Sequence, residues 1–304
     1  MDQLMIFLSV LFFCLSSTVI RFFQLKLRIN DWSFRLYQSC YCLVASALNF
    51  IFYGVRTAPL TLTVIYAVCF GILFFTASFL NARCLDIGPM SLTSVITNLS
   101  LSIPLVFSLI VYGENISLLG GVGLCLLVVT IFLSAFSSSN DGGKRVNLQW
   151  LIAVFFAFAS NGTTAVLQKV NQTMLEGKSD GAFLGIAYGV GGIIYFGVFI
   201  VTLINRKKHP EKQSGHYVKR DVDTKYVLYF IIAVLLTGLG SFMGNGLLNI
   251  LSVKVDAAIL YPCINGGLAL MCSLVSMLLF KERVSLRKII TLAIGITAIV
   301  CLAI

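Results

Sequence analysis

Six polar side chains stand inside long apolar runs: Thr97, Asn98, Asn161, Asn245, Tyr261 and Asn265. An asparagine amide offers both a donor and an acceptor, which suits the amino, carboxyl, hydroxyl or amide groups of a small polar solute. Polar groups are costly in hydrocarbon, so each of these must face a cavity or another helix. The first alternative makes them a substrate-binding set. The second makes them hydrogen-bonding glue between helices, and Asn49 reads as glue. Pro262 follows Tyr261 directly and frees a carbonyl near residue 258. That carbonyl can coordinate a solute, the kink can act as a gate, or the kink can simply serve packing. Glu114 and Glu282 precede Ser117 and Ser285 at segment ends. Each serine is placed to cap a helix and each acid to sit near its positive end; a part in proton coupling is the alternative.

The elements that must position these groups follow from composition. The 304 residues are 58% hydrophobic and 11% charged, with a mean hydropathy of +0.95. A soluble chain carries about 25% charged residues. A span needs about 20 mostly apolar residues, and ten segments qualify, near 4–24, 36–54, 60–82, 91–112, 117–136, 149–170, 181–204, 226–249, 256–280 and 287–304. The expected fold is all-α and membrane-integral, with the lipid bilayer as a partner. The N-terminus lacks a cationic region and a small-residue cleavage site, so no cleavable signal is expected. The nine cysteines lie mostly within apolar runs, without metal-site spacing, and read as free thiols.

The net charge of +10 is distributed between segments and forms no long basic face, which excludes nucleic acid as a partner. Seventeen Lys and Arg fall in loops after odd-numbered segments. Arg56, Lys169, Lys178 and Lys254 fall after even ones, and Arg21, inside the first segment, completes the 22. The excess places the odd loops in the cytoplasm and both termini outside. Trp32 and Trp150 flank segments on that same side, as interfacial aromatics do.

A shift of 168 residues superimposes Asn81 on Asn249, Ile96 on Ile264, Ser108 on Ser276, Glu114 on Glu282 and Ser117 on Ser285. It also brings Thr97 and Asn98 onto Asn265 and Gly266. Five segments per half is an odd number, so the second half enters the membrane from the opposite side. The expectation is two inverted repeats, 1–140 and 141–304, with a solute site between the halves. Glycine rows at Gly181, Gly185 and Gly189, and at Gly240 and Gly244, allow close helix approach, for static packing or for rocking. A homodimer is left open.

This pattern resembles the EamA-type transporters of the drug/metabolite transporter superfamily. The matching residues are Val111-Tyr112-Gly113-Glu114-Asn115-Ile116-Ser117 in one half and Leu279-Phe280-Lys281-Glu282-Arg283-Val284-Ser285 in the other. Gly123 also fits the family pattern, and Thr291 departs from it. The resemblance covers essentially the whole chain. It implies alternating access for a small metabolite, with segments four and nine lining the central cavity. It also implies cytoplasmic termini for many members, against the charge count, which we follow. Small multidrug relatives exchange protons for cations through an embedded Glu. No acid lies deep in any segment here, which disfavours that route.

The expected function is secondary transport of a small polar, amino-acid-like metabolite across the cytoplasmic membrane. No cofactor or metal is expected, and no enzymatic constellation is present: there is no phosphate-binding loop, His pair or nucleophile elbow, and His209 and His216 lie in the long 205–225 loop. The alternative is a structural or sensory membrane protein that docks a partner on that basic loop.

Overall fold

The computed structural model describes residues 1–27, 31–53, 61–88, 93, 96–97, 99–113, 117–137, 147–174, 181–208, 224–279 and 286–303. Among the described residues all regular structure is helical. In chain order the α-helices are α1 (Asp2–Leu27), α2 (Asp31–Phe52), α3 (Thr61–Ile87), α4 (Ser102–Val111), α5 (Leu118–Ser137), α6 (Leu148–Met174), α7 (Ala182–Lys208), α8 (Thr224–Lys254), α9 (Ala257–Leu279) and α10 (Leu286–Ala303). A 3-10 turn, Leu99–Leu101, precedes α4. Among the described residues five helices (α1, α3, α6, α7 and α8) are long and apolar enough to cross a membrane.

Helix ends follow local chemistry. The Ser117 hydroxyl accepts the Gly120 amide at 2.9 Å and caps α5. Asn147 caps α6 in the same way, its side-chain oxygen accepting the Trp150 amide at 2.7 Å. Gly113, with φ of 63°, turns the chain out of α4 in the left-handed conformation that glycine tolerates best.

Segment four departs from the single helix expected over 91–112. The chain runs helically through Ile96 and Thr97, tightens into the 3-10 turn and restarts as the ten-residue α4. Pro104 accounts for this. It has no amide hydrogen to donate to the carbonyl of residue 100, and its ring crowds that carbonyl. Pro104 is tolerated in the first turn of a new helix, where amides lack intrahelical partners in any case.

The chain divides into two compact units, each drawing helices from both sides of residue 140. The first unit comprises Met1–Leu11, Leu73–Ser179 and Leu247–Ile304. In it α4 packs on α6 and α9, and α5 packs on α10. Trp150 is buried there among Cys84, Ala153 and Val154. It is therefore not the interfacial aromatic expected from its place beside a charged loop. Its indole N–H finds a partner inside the protein, donating to Thr93 Oγ1 at 2.9 Å. Trp32's side chain lies outside the described residues.

The second unit comprises Phe12–Ile72 and Asp180–Gly246, with α2 packed along α7. Close approach here depends on small residues. A Cβ on Gly181 would come within 2.2 Å of the Asn49 carbonyl oxygen, and one on Gly240 within 2.8 Å of the Phe12 carbonyl oxygen. Serine hydroxyls complete the seams: Ser39 donates to the Gly192 carbonyl at 2.9 Å and Ser46 to the Gly185 carbonyl at 2.6 Å. The interior of this unit is polar for a protein core, with Tyr37, Gln38, Asn49 and Thr237 buried while Leu43, Ile51 and Ile193 are exposed. Water would favour the opposite arrangement, whereas an apolar solvent favours this one.

Candidate functional site

The first unit gathers most of the polar residues singled out from sequence around one helix, α6. At its middle the Asn161 amide donates to Ser100 Oγ at 2.7 Å and reaches the Thr97 carbonyl at 3.5 Å. Ser100 in turn donates to the Thr97 carbonyl at 2.6 Å. Thr97 Oγ1 donates to the Thr93 carbonyl at 2.9 Å, and Thr93 Oγ1 accepts the Trp150 indole. A continuous polar path therefore runs along the face where α6 meets the interrupted segment four. Gly162 sets the spacing: a Cβ there would lie 2.7 Å from the Ser100 carbonyl oxygen and 2.4 Å from Ile103 Cδ1.

The next turn of α6 meets α9. Tyr261, 2% exposed, donates its hydroxyl to the Ala165 carbonyl at 2.9 Å. Asn265 donates to the Tyr261 carbonyl at 3.0 Å, one turn back on its own helix. Pro262 lies between them, buried, in the second turn of α9. Thr97, Asn161, Tyr261 and Asn265 therefore cluster along two adjoining seams of α6. Asn161 is exposed and Asn265 half-buried, with the Asn161 N–H groups turned to Ser100 Oγ and the Thr97 carbonyl. Asn98, Glu114, Glu282 and Ser285 lie outside the described residues.

Asn245 belongs to the second unit. Its amide donates to Tyr188 Oη at 2.6 Å and to the Ser241 carbonyl at 3.2 Å. That bonding joins α8 to α7 in the manner of interhelical glue. Asn49 donates to the Ala45 carbonyl at 2.8 Å within its own helix. Tyr37 and Thr237 share a hydroxyl–hydroxyl hydrogen bond of 2.5 Å between α2 and α8.

Sequence reasoning passed over the last turns of α6. The helix continues past residue 170 to Met174 and buries Gln168, Lys169, Asn171 and Gln172. Lys169 is therefore not a loop charge; it is 6% exposed, with Nζ 5.6 Å from the centroid of the Tyr112 ring. The available signal was the spacing of Gln168, Asn171 and Gln172, which places three amides on one helical face. It was obscured because the apolar run ends at Leu167. The excess of charge in the odd-numbered loops remains after Lys169 is removed from the count.

All nine cysteines are free thiols. Among the described residues no group of three or more His, Cys, Asp or Glu side chains is arranged to hold a metal ion.

No protein-family profile matches the chain. No curated protein matches it either. A solved structure described only as a crystal structure of a protein is similar over 99% of this chain and 95% of its own, with a TM-score of 0.68 and 11% sequence identity. At that identity the likeness is one of fold.

Proposed function

We propose that the chain is a secondary transporter of the EamA type. It has ten spans in two inverted five-helix repeats, 1–140 and 141–304, and moves a small polar metabolite across the cytoplasmic membrane by alternating access. The observation that carries this reading is how the helices pair. Helices α2 and α7, α4 and α9, and α5 and α10 pack together, and each couple holds the same position in its half. Where two repeats are related by a pseudo-two-fold axis, the helices beside the axis meet their own counterparts.

Two further features agree. Segment four is interrupted ahead of Pro104, and α9 contains Pro262. Irregular backbone at membrane depth is tolerated where it lines a cavity or is buried in protein. In transporters of this architecture such discontinuities lie at the solute site. We assign solute binding to Thr97, Asn98, Asn161, Tyr261 and Asn265, with Pro262 as the kink that lets α9 bend. Asn245, which joins α8 to α7 in the second unit, acts as a positioning residue.

Proteoliposomes loaded with the purified protein test this reading. Uptake or counterflow of at least one radiolabelled metabolite from a broad panel, driven by a solute or ion gradient, is expected. Asn161→Ala and Asn265→Ala should lower its flux. An absence of flux across the panel under every gradient would refute the transporter. Unchanged kinetics in both variants would refute the site.

A further inference from the structure

We infer that the site on α6 takes an uncharged solute and accepts hydrogen bonds from it, so that the solute is a polyhydroxyl compound such as a sugar, polyol or nucleoside; this rests on the transport reading above. Asn161 is exposed on a face that α6 otherwise buries. Trp150, Val154, Ala157, Asn161, Thr164 and Gln168 recur at alternating intervals of four and three, which places them on one helical face. Five of these six are buried, while Asn161, at the centre of the helix, is exposed. The apolar residues that α6 exposes are Leu151, Ile152, Phe155 and Phe156, on another face. Asn161 therefore opens onto a space within the first unit and not onto lipid, as a polar group at membrane depth must.

The groups turned to that space are acceptors. The Asn161 N–H groups are turned to Ser100 Oγ and the Thr97 carbonyl. A carbonyl can only accept, which fixes the nitrogen on that side and leaves the amide oxygen as the group that Asn161 presents. Nearby hydroxyls direct their protons at backbone: Ser100 to the Thr97 carbonyl, Thr164 to the Asn161 carbonyl at 2.6 Å, and Tyr261 to the carbonyl of Ala165, one turn from Asn161. Asn265, one turn from Tyr261 on α9, likewise directs its nitrogen at the Tyr261 carbonyl. A carboxylate or phosphate brings only acceptors and is mismatched to such a set.

Charge narrows the solute further. No Lys, Arg, His, Asp or Glu occurs within 91–112, 148–168 or 257–280, the stretches that carry these side chains. An ion brought into a low-dielectric interior needs a counter-charge, and these stretches hold none. A zwitterionic amino acid would meet the acceptors through its ammonium and leave its carboxylate uncompensated. A neutral solute rich in O–H donors meets both conditions.

Thermal unfolding of the detergent-solubilised full chain provides the test. The neutral probes are D-ribose, D-glucose, glycerol, myo-inositol and uridine. Sodium L-lactate, inorganic phosphate, putrescine and L-alanine, at matched ionic strength, are the charged and zwitterionic ones. At ten times its Kd at least one neutral probe should raise Tm by about 2 °C, and no charged or zwitterionic probe should. The shift should saturate, and it should disappear in Asn161→Leu, which lacks the acceptor at nearly the same size. Sugars also stabilise proteins by exclusion from their surface, but that effect neither saturates nor depends on Asn161. If Asn161→Leu fails to fold, Asn265→Leu carries the test. An absence of saturable stabilisation by every neutral probe would overturn the inference, as would saturable stabilisation by lactate, phosphate, putrescine or alanine. So would a shift that survives in the variant. Binding does not require flux, so the two proposals fail separately. A neutral probe that binds without being transported refutes only the transporter. Flux of a charged probe with none for any neutral one refutes only this inference.

Discussion

Gly162→Ala is the most informative single perturbation, because one methyl group would be placed where α6 meets the interrupted segment four. The new Cβ would lie 2.7 Å from the Ser100 carbonyl oxygen and 2.4 Å from Ile103 Cδ1. The isoleucine methyl can rotate away, but the carbonyl belongs to backbone, so the two elements must separate by several tenths of an ångström. Overpacking of this kind costs about 1–3 kcal/mol. Replacing a helical glycine by alanine returns about 0.5–1 kcal/mol. Separation also breaks the 2.7 Å bond from Asn161 to Ser100, at about 0.6 kcal/mol for a bond between membrane helices. The net loss is about 2 kcal/mol, or roughly 3 °C in Tm for a chain of this length. A thiol-reactive dye can follow the melt, since Cys14, Cys42, Cys84 and Cys263 are buried and react on unfolding. Gly121→Ala is the control, because a Cβ there meets nothing within 4 Å; its Tm should hold or rise. If Gly162→Ala melts at or above the wild-type temperature, the close approach at Ser100 is refuted, and with it the proposed geometry of the site.

Four other outcomes are expected. Tyr261→Phe removes the donor to the Ala165 carbonyl and should cost about 1 kcal/mol, read as a lower Tm, together with altered solute affinity in proteoliposomes. Pro262→Ala restores a helical amide and should hold or raise Tm; unchanged transport in that variant would assign the proline to packing. Tyr37→Phe removes the hydroxyl that meets Thr237 in a fully buried setting and should cost about 1 kcal/mol by the same melt. An epitope inserted after residue 213 should bind antibody only in permeabilised cells, and one at the C-terminus from outside; the reverse pattern would refute the charge-based orientation.

Much of the helical architecture was readable from apolar length. A run of about 20 apolar residues is a property of the chain alone, so the starts of α1, α3, α7 and α8 fell within two residues of expectation, while their ends run three to five residues further. The capping role of Ser117 was readable too, because an N-cap bonds only to its own first turn. The interruption of segment four was missed. Pro104 was visible, but proline also serves at the start of a helix, and where the helix restarts depends on what Ser100 and Asn161 bond across the seam. The end of α6 was misplaced for a related reason. Gln168, Lys169, Asn171 and Gln172 look like a polar loop by hydropathy and become helix only because α4 and its neighbours cover them.

Trp150 and Asn245 illustrate the same division. Sequence placed one beside a charged loop and the other among site candidates. The structure gave each a partner distant in the chain: Trp150 pairs with Thr93, 57 residues away, and Asn245 with Tyr188, also 57 away. The sequence by itself determined that polar groups in apolar runs must be satisfied inside the protein, since the cost of burying them unpaired depends on residue type. Only the tertiary structure decided which groups satisfy one another. It joined the Asn245 amide to Tyr188 on α7 and the Asn161 amide to Ser100 across the seam of α6. Hydrogen bonds act over about 3 Å, and such distances between remote residues are a property of the packed chain.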